Sequence, residues 1–320
     1  MSTPIRAATF VIALAAVFAA ALGVGRLAGP LDTAVASHES DHAPEGEHGP
    51  DHAAGPGDST QAAAASSVAG LQTSEDGYTL ELADDRVRAG RQPIRFTITG
   101  PDGAPVTAYD EQHERDLHLI VVRRDLTGFQ HVHPTLDADT GIWSVDGIAL
   151  APGAWRVLAD FRPTGAEARV LGTDLLVSGE FNPATQGPDA RVATVGDYQV
   201  VLNGDLTTGE SKLTLQVSKD GNPLTDLQPY LGAYGHLVAM RAGDLGYLHV
   251  HPDGEPGQTP AGPDIVFHTE FPSDGSYRLF LDFRHQGVVR TAAFTVTVGG
   301  DGSGGAGDSG EHGEEGDHDH

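Results

Sequence analysis

The sequence predicts an all-β protein in which two homologous antiparallel β-sandwich domains follow one another, after an N-terminal hydrophobic helix and between disordered, His- and acid-rich segments. Three observations carry this expectation. First, the stretch from His118 to Pro134 returns from His236 to Pro252. Each copy has a leading histidine, an alternating apolar run, a turn with Asp-Leu and Gly, and an aromatic ahead of His-Val-His-Pro. Such self-similarity marks a duplicated structural unit. Second, short runs rich in β-branched and aromatic residues alternate with turn clusters, and no amphipathic helix lies between them. Third, the two ends lack large apolar side chains and cannot bury enough surface to offset chain entropy.

Taken in order, residues 1–30 form a signal anchor or a signal peptide. Ala7 to Gly25 is apolar apart from one threonine, follows Arg6, and is long enough to span a bilayer. A cleavable leader is also open, because Ala34-Val35-Ala36 offers a small-x-small site. Either reading places the remainder on the extracytoplasmic side, since the positive charge precedes the apolar run. Residues 31–68 are a linker in which His38, His42, His48 and His52 alternate with carboxylates, and the tail over 300–320 repeats that composition with His312, His318 and His320. Imidazole and carboxylate on a flexible chain bind transition ions loosely, through alternative ligand sets.

The first sandwich is expected over 69–180. Its candidate strands include Tyr78 to Leu82, Ile94 to Ile98, Leu117 to Val122, Phe129 to His133, Ile142 to Val145, Trp155 to Phe161 and Thr173 to Val177, separated by turns such as Gly100-Pro-Asp-Gly103. A short linker rich in Pro, Gly and Asp follows from Gly179 to Ala190, and the second sandwich is expected over 191–299. Asp160-Phe161-Arg162 and Asp282-Phe283-Arg284 end equivalent strands and read as carboxylate–guanidinium clamps on neighbouring loops.

Composition narrows the function. The net charge of −26 argues against a nucleic-acid partner, whose phosphates would be repelled, and favours cations. Without cysteine there are no thiolate ligands and no blue-copper centre. Nucleophile, phosphate-loop and paired-carboxylate motifs are absent, so a non-enzymatic role is expected.

The candidate metal ligands come from the repeated hairpin. Side chains alternate faces along a strand, so His118, Ile120 and Val122 share one side, and Phe129, His131 and His133 share one. An even-length hairpin closed around Leu126-Thr127 sets Val122 opposite His131 and Ile120 opposite His133, with His118 diagonal to His133. His118, His131 and His133 then converge. The second copy gives His236, His249 and His251, with Met240 in the place of Val122. Three imidazoles suit Cu(II), Zn or Ni, and a thioether beside them favours Cu(I), so copper is the preferred ion and zinc the alternative. Asp110, Glu111, His113, His268, Glu270 and His285 are possible additional ligands, each also readable as an ordinary polar residue.

At this duplicated His-Leu-x-Val, Asp-Leu, His-Val-His-Pro pattern the chain resembles a group of exported bacterial domains with Ig-like folds that occur with heavy-metal and copper handling systems. The resemblance covers both repeats. It implies metal binding through His118, His131 and His133 and through His236, His249 and His251. The expectation is an extracytoplasmic protein that buffers metal ions or hands them to a metal-transport partner. The alternative is a membrane-tethered Ig-like interaction module whose histidines are structural.

Overall fold

The structure is a computed structural model that describes residues 68–299 apart from 249. The expected N-terminal helix, nearly all of the His-rich linker, the tail over 300–320 and the candidate ligand His249 lie outside the described residues. Among the described residues every regular element is a strand. The first repeat supplies β1 (Ser74–Glu75), β2 (Tyr78–Leu82), β3 (Arg86–Arg88), β4 (Gly90–Thr99), β5 (Leu117–Arg123), β6 (Gln130–Val132), β7 (Thr135–Asp137), β8 (Ile142–Leu150), β9 (Gly153–Phe161) and β10 (Arg169–Ser178). The second supplies β11 (Val192–Val195), β12 (Tyr198–Asn203), β13 (Gly209–Lys219), β14 (Asn222–Pro223), β15 (Gly235–Arg241), β16 (Tyr247–Leu248), β17 (Val250–Pro252), β18 (Asp264–Phe271), β19 (Gly275–His285) and β20 (Val288–Val298).

Each repeat is an Ig-like sandwich of two sheets. The first pairs β1-β2-β4-β8-β7 with β3-β10-β9-β5-β6, and the second pairs β11-β12-β13-β18-β17 with β16-β15-β19-β20. All ladders are antiparallel except that of β3, which lies parallel to β10. Outer strands alternate as a half-buried strand must: Ile94, Phe96 and Ile98 of β4 face inward between exposed or part-buried neighbours, as do Leu213, Leu215 and Val217 of β13. The cores centre on Phe96, Trp143, Trp155 and Phe161 in the first repeat, and on Phe267, Tyr277, Phe283 and Phe294 in the second.

β5, β9, β15 and β19 break the alternation, being buried almost throughout. The reason is a third apolar cluster that joins the repeats. Ile120, Val122, Leu126, Leu158 and Val170 of the first pack with Val238, Met240, Leu245, Tyr247 and Phe280 of the second. Phe129 and Phe280 stack across this seam at 4.0 Å. A strand buried on both faces reads as an uninterrupted apolar run, which is how β5 and β15 appear in sequence.

The hairpin register differs from the expected one by two residues. Ile120, not Val122, stands opposite His131, and Leu119 stands opposite Val132. The turn absorbs more chain than a tight hairpin. Leu126 and Gly128 take φ of 59° and 66°, and Arg123 bonds to Asp125, whose carboxylate also accepts from Thr127. A two-residue shift preserves parity, so His118 and His131 still share a face. The second hairpin keeps the same register, with Ala239 opposite Leu248.

Candidate metal centre at the seam between the repeats

Strand register places the repeated histidines together. His118 of β5 stands opposite Asp160 of β9, and His236 of β15 opposite Asp282 of β19. Each repeat thereby sets an imidazole beside a carboxylate in the seam. The His118 and His236 rings stack at 5.5 Å with planes 7° apart. β6 brings His131 against both, at 5.2 Å from His118 and 4.8 Å from His236. One nitrogen from each of these three rings lies within 4.8 Å of the others. His133 sits 5.0 Å from His118 and from His131, and His113 sits 5.4 Å from His236, centroid to centroid.

The hydrogen bonds assign the protons. Nε2 of His118 lies 2.9 Å from the Gln112 carbonyl, which only accepts, so this nitrogen is the donor. Nδ1 of His131 lies 3.0 Å from Oδ2 of Asp282, which accepts its hydrogen. A neutral imidazole carries one N–H. The remaining nitrogens, Nδ1 of His118 and Nε2 of His131, therefore present lone pairs to each other at 3.0 Å. Such a contact requires a cation, either a shared proton or a metal ion. Burial and then the neighbouring His131 push His118 down to about 3, so its Nδ1 carries no proton of its own and is open to accept a hydrogen bond or to ligate an ion. A tetrahedral ion with nitrogen ligands at about 2.0–2.1 Å sets them about 3.3 Å apart, close to the observed separation.

The surroundings suit an ion. The His131 side chain is only 1% exposed and is oriented by Asp282, which also accepts from Thr291. A carboxylate that holds the outer nitrogen of a ligand histidine fixes its tautomer and strengthens it as a donor. Nε2 of His133 is buried with no hydrogen-bond partner, and burial followed by the nearby His131 depresses that ring to about 3. On the other side of the pseudo-symmetric seam, Asp160 accepts from the Tyr247 hydroxyl at 2.9 Å. Burial pushes Asp160 up to about 6 even though that hydrogen bond acts in the opposite sense.

The seam thus holds one group of histidines drawn from both repeats. Among the described residues, His118, His131 and His133 gather and are joined by His236 of the second repeat, while His249 lies outside the described residues. Met240 is fully buried in the apolar seam. It lies four strand residues from His236, about 13 Å away at strand rise. A thioether ligand beside His236 finds no support in this arrangement. His251 is carried off by β17, which joins the other sheet and sets it, exposed, opposite His268 of β18. Asp110 binds the Thr164 hydroxyl, and His285 is held by Tyr198 and Asp226 in the second sandwich.

Asp160 and Asp282 were expected to clamp arginines. They instead face the histidines, and the sequence signal was present: each is an acid inside a strand that is otherwise apolar at its end, Val157 to Phe161 and Leu279 to Phe283. A carboxylate there must meet a donor or a cation.

Comparison with known proteins gives distant likenesses. No curated protein matches the chain. Among solved structures, a DUF4426 family protein from Pseudomonas aeruginosa PAO1 shares 12% identity over 34% of this chain and 96% of its own, with a TM-score of 0.24. The Escherichia coli adhesin FdeC shares 17% over 71% of this chain and 65% of its own, with a TM-score of 0.23. Yersinia pseudotuberculosis InvD shares 14% over 70% and 58%, with a TM-score of 0.24. A family model matches twice, over residues 72–174 and 193–300, once on each sandwich, and the chain belongs to that family, described as a domain of unknown function, DUF8832.

Proposed function

We propose that this chain is an extracytoplasmic metal-binding protein that holds a transition ion between its two sandwiches, through His118, His131 and His236 with His133 in reach. The observation that carries the reading is the approach of His118 Nδ1 to His131 Nε2 at 3.0 Å inside a three-histidine cluster. Neutral imidazoles without thiolate or thioether favour Cu(II) or Zn(II). The His-rich flanks would capture ions and the seam would retain them, so the chain buffers metal or passes it to a transport partner, with no catalytic step. The apolar segment behind Arg6 tethers it to the membrane unless cleaved.

A second reading is a two-sandwich interaction module in which the histidines only dock the repeats. The Gln112–His118–His131–Asp282 chain of contacts favours it, because that chain crosses from one repeat to the other. Calorimetric titration of Cu(II) and Zn(II) into residues 68–299 separates the two. The metal reading expects one tightly held ion per chain, lost in His131→Ala and in His236→Ala. No uptake at neutral pH, with both variants merely less stable, would establish the docking role instead.

A further inference from the structure

We propose that the outer face of the second sandwich carries a separate, exchangeable site for a divalent transition ion, built on His251 and His268. The site arises from a divergence between the repeats. In the first, β6 runs on to Val132, and the histidine that follows, His133, turns into the seam. In the second, β16 stops at Leu248 and β17 is already paired with β18 at Val250. This earlier switch of sheet sends His251 to the exposed face. It lands directly opposite His268, for which the first repeat has Asp146 at the equivalent place.

Directly opposed residues on one sheet face have Cβ atoms about 4.5–5.5 Å apart, within reach of one ion for two imidazoles. Both strands are held in that register by Val250 opposite Thr269 and Pro252 opposite Phe267, so the pair is set by the ladder and not by a mobile loop. Oxygen ligands are at hand. Oδ2 of Asp253 lies 3.6 Å from Nε2 of His268, and the same carboxylate is 4.0 Å from the Lys212 ammonium. Glu210 and Glu270 pair across β13 and β18 in the adjoining row, and with both histidines they line an open cavity of about 740 Å³. Two imidazoles and a carboxylate facing solvent suit Cu(II), Ni(II) or Zn(II), with water filling the remaining positions and permitting exchange. In the seam, by contrast, His118 and His236 are buried, at 2% and 8% exposure.

The test follows the ring resonances of the full chain, labelled at histidine, during titration with Zn(II), which is diamagnetic and reports only where it binds. His251→Ala and His268→Ala assign the two surface rings, and His131→Ala assigns a seam ring. The expected result is that His251 and His268 shift together at one Zn(II) concentration. Removal of either should raise the concentration needed by the other roughly tenfold or more, as loss of a chelating partner requires. Surface rings that stay unmoved while the seam ring shifts would overturn this site and leave the seam reading intact. Independent shifts, unchanged by loss of the partner ring, would also overturn it. Coupled surface shifts without a seam response would support this site and count against the seam.

Discussion

At the scale of single residues, the seam turns on which nitrogen carries each proton. Asp282 decides this for His131, so Asp282→Asn, which keeps the shape and removes the charge, should weaken ion affinity about 10- to 100-fold. Competition against a chromophoric chelator measures it, and an unchanged affinity would show that the carboxylate does not orient the ligand. Met240 has the opposite standing. Met240→Leu should leave ion affinity unaltered and cost less than about 1.5 kcal/mol in urea unfolding, as near-isosteric core swaps do. Acid stability follows from His118 and His133, each depressed from 6.5 to about 3, chiefly by burial. The unfolded chain binds protons there that the folded chain refuses. Their contribution is complete above about 6.5 and is lost as pH falls toward 3. Asp160, raised to about 6, acts in the reverse direction, its contribution fading as pH rises through that value. With two imidazoles against one carboxylate, urea midpoints of the ion-free chain should fall between pH 6.5 and 4; a flat profile would contradict the burial of these rings.

At the scale of elements, the hairpin between β5 and β6 sets the geometry. Gly128 has φ of 66°, and a Cβ there would meet Cη2 of Trp155 at 2.6 Å. Gly128→Ala should therefore destabilise the fold by about 1–3 kcal/mol, the usual range for a forced left-handed residue, with the loss visible in thermal unfolding. Alternation in β4 and β13 and the repeated pattern around β5 and β15 made the strands and the sandwich class legible from sequence alone. So was the shared face of His118 and His131, because parity survives a shift of two residues. The register itself was not legible, since it depends on how much chain the Asp125 turn takes up. Nor could the sequence show that the apolar faces of β5 and β15 meet each other, and this is why His118 and His236 were expected in separate groups. The departure of His251 has the same origin: where a strand changes sheets is set by pairing with β18, a long-range choice that local pattern does not encode.

At the scale of the whole molecule, the three rings whose nitrogens lie within 4.8 Å of one another come from both repeats: His118 and His131 from one, His236 from the other. An ion there belongs to neither sandwich alone. The second repeat by itself, residues 191–299, should lose the seam affinity seen with 68–299, even though it keeps His236. Retention of that affinity by the single repeat would show that the ion sits elsewhere. By mass action, an ion present at a hundred times its dissociation constant should add about 2.7 kcal/mol to the stability of the two-repeat body.

The short segment that enters the first sandwich also engages the second. The Ala69 carbonyl accepts from the Tyr247 amide at 2.9 Å, Gly70 bonds to Val170 at 3.0 Å, and Arg156 grips the Gly70 and Leu71 carbonyls. Tyr247 is also the residue whose hydroxyl reaches Asp160 beside the histidines. Tension applied to the chain ahead of Val68 is therefore borne by both sandwiches together, and the first bond it strains is one residue's length from the seam carboxylate. A pull at that end would bear directly on Tyr247, the residue that hydrogen-bonds the seam carboxylate.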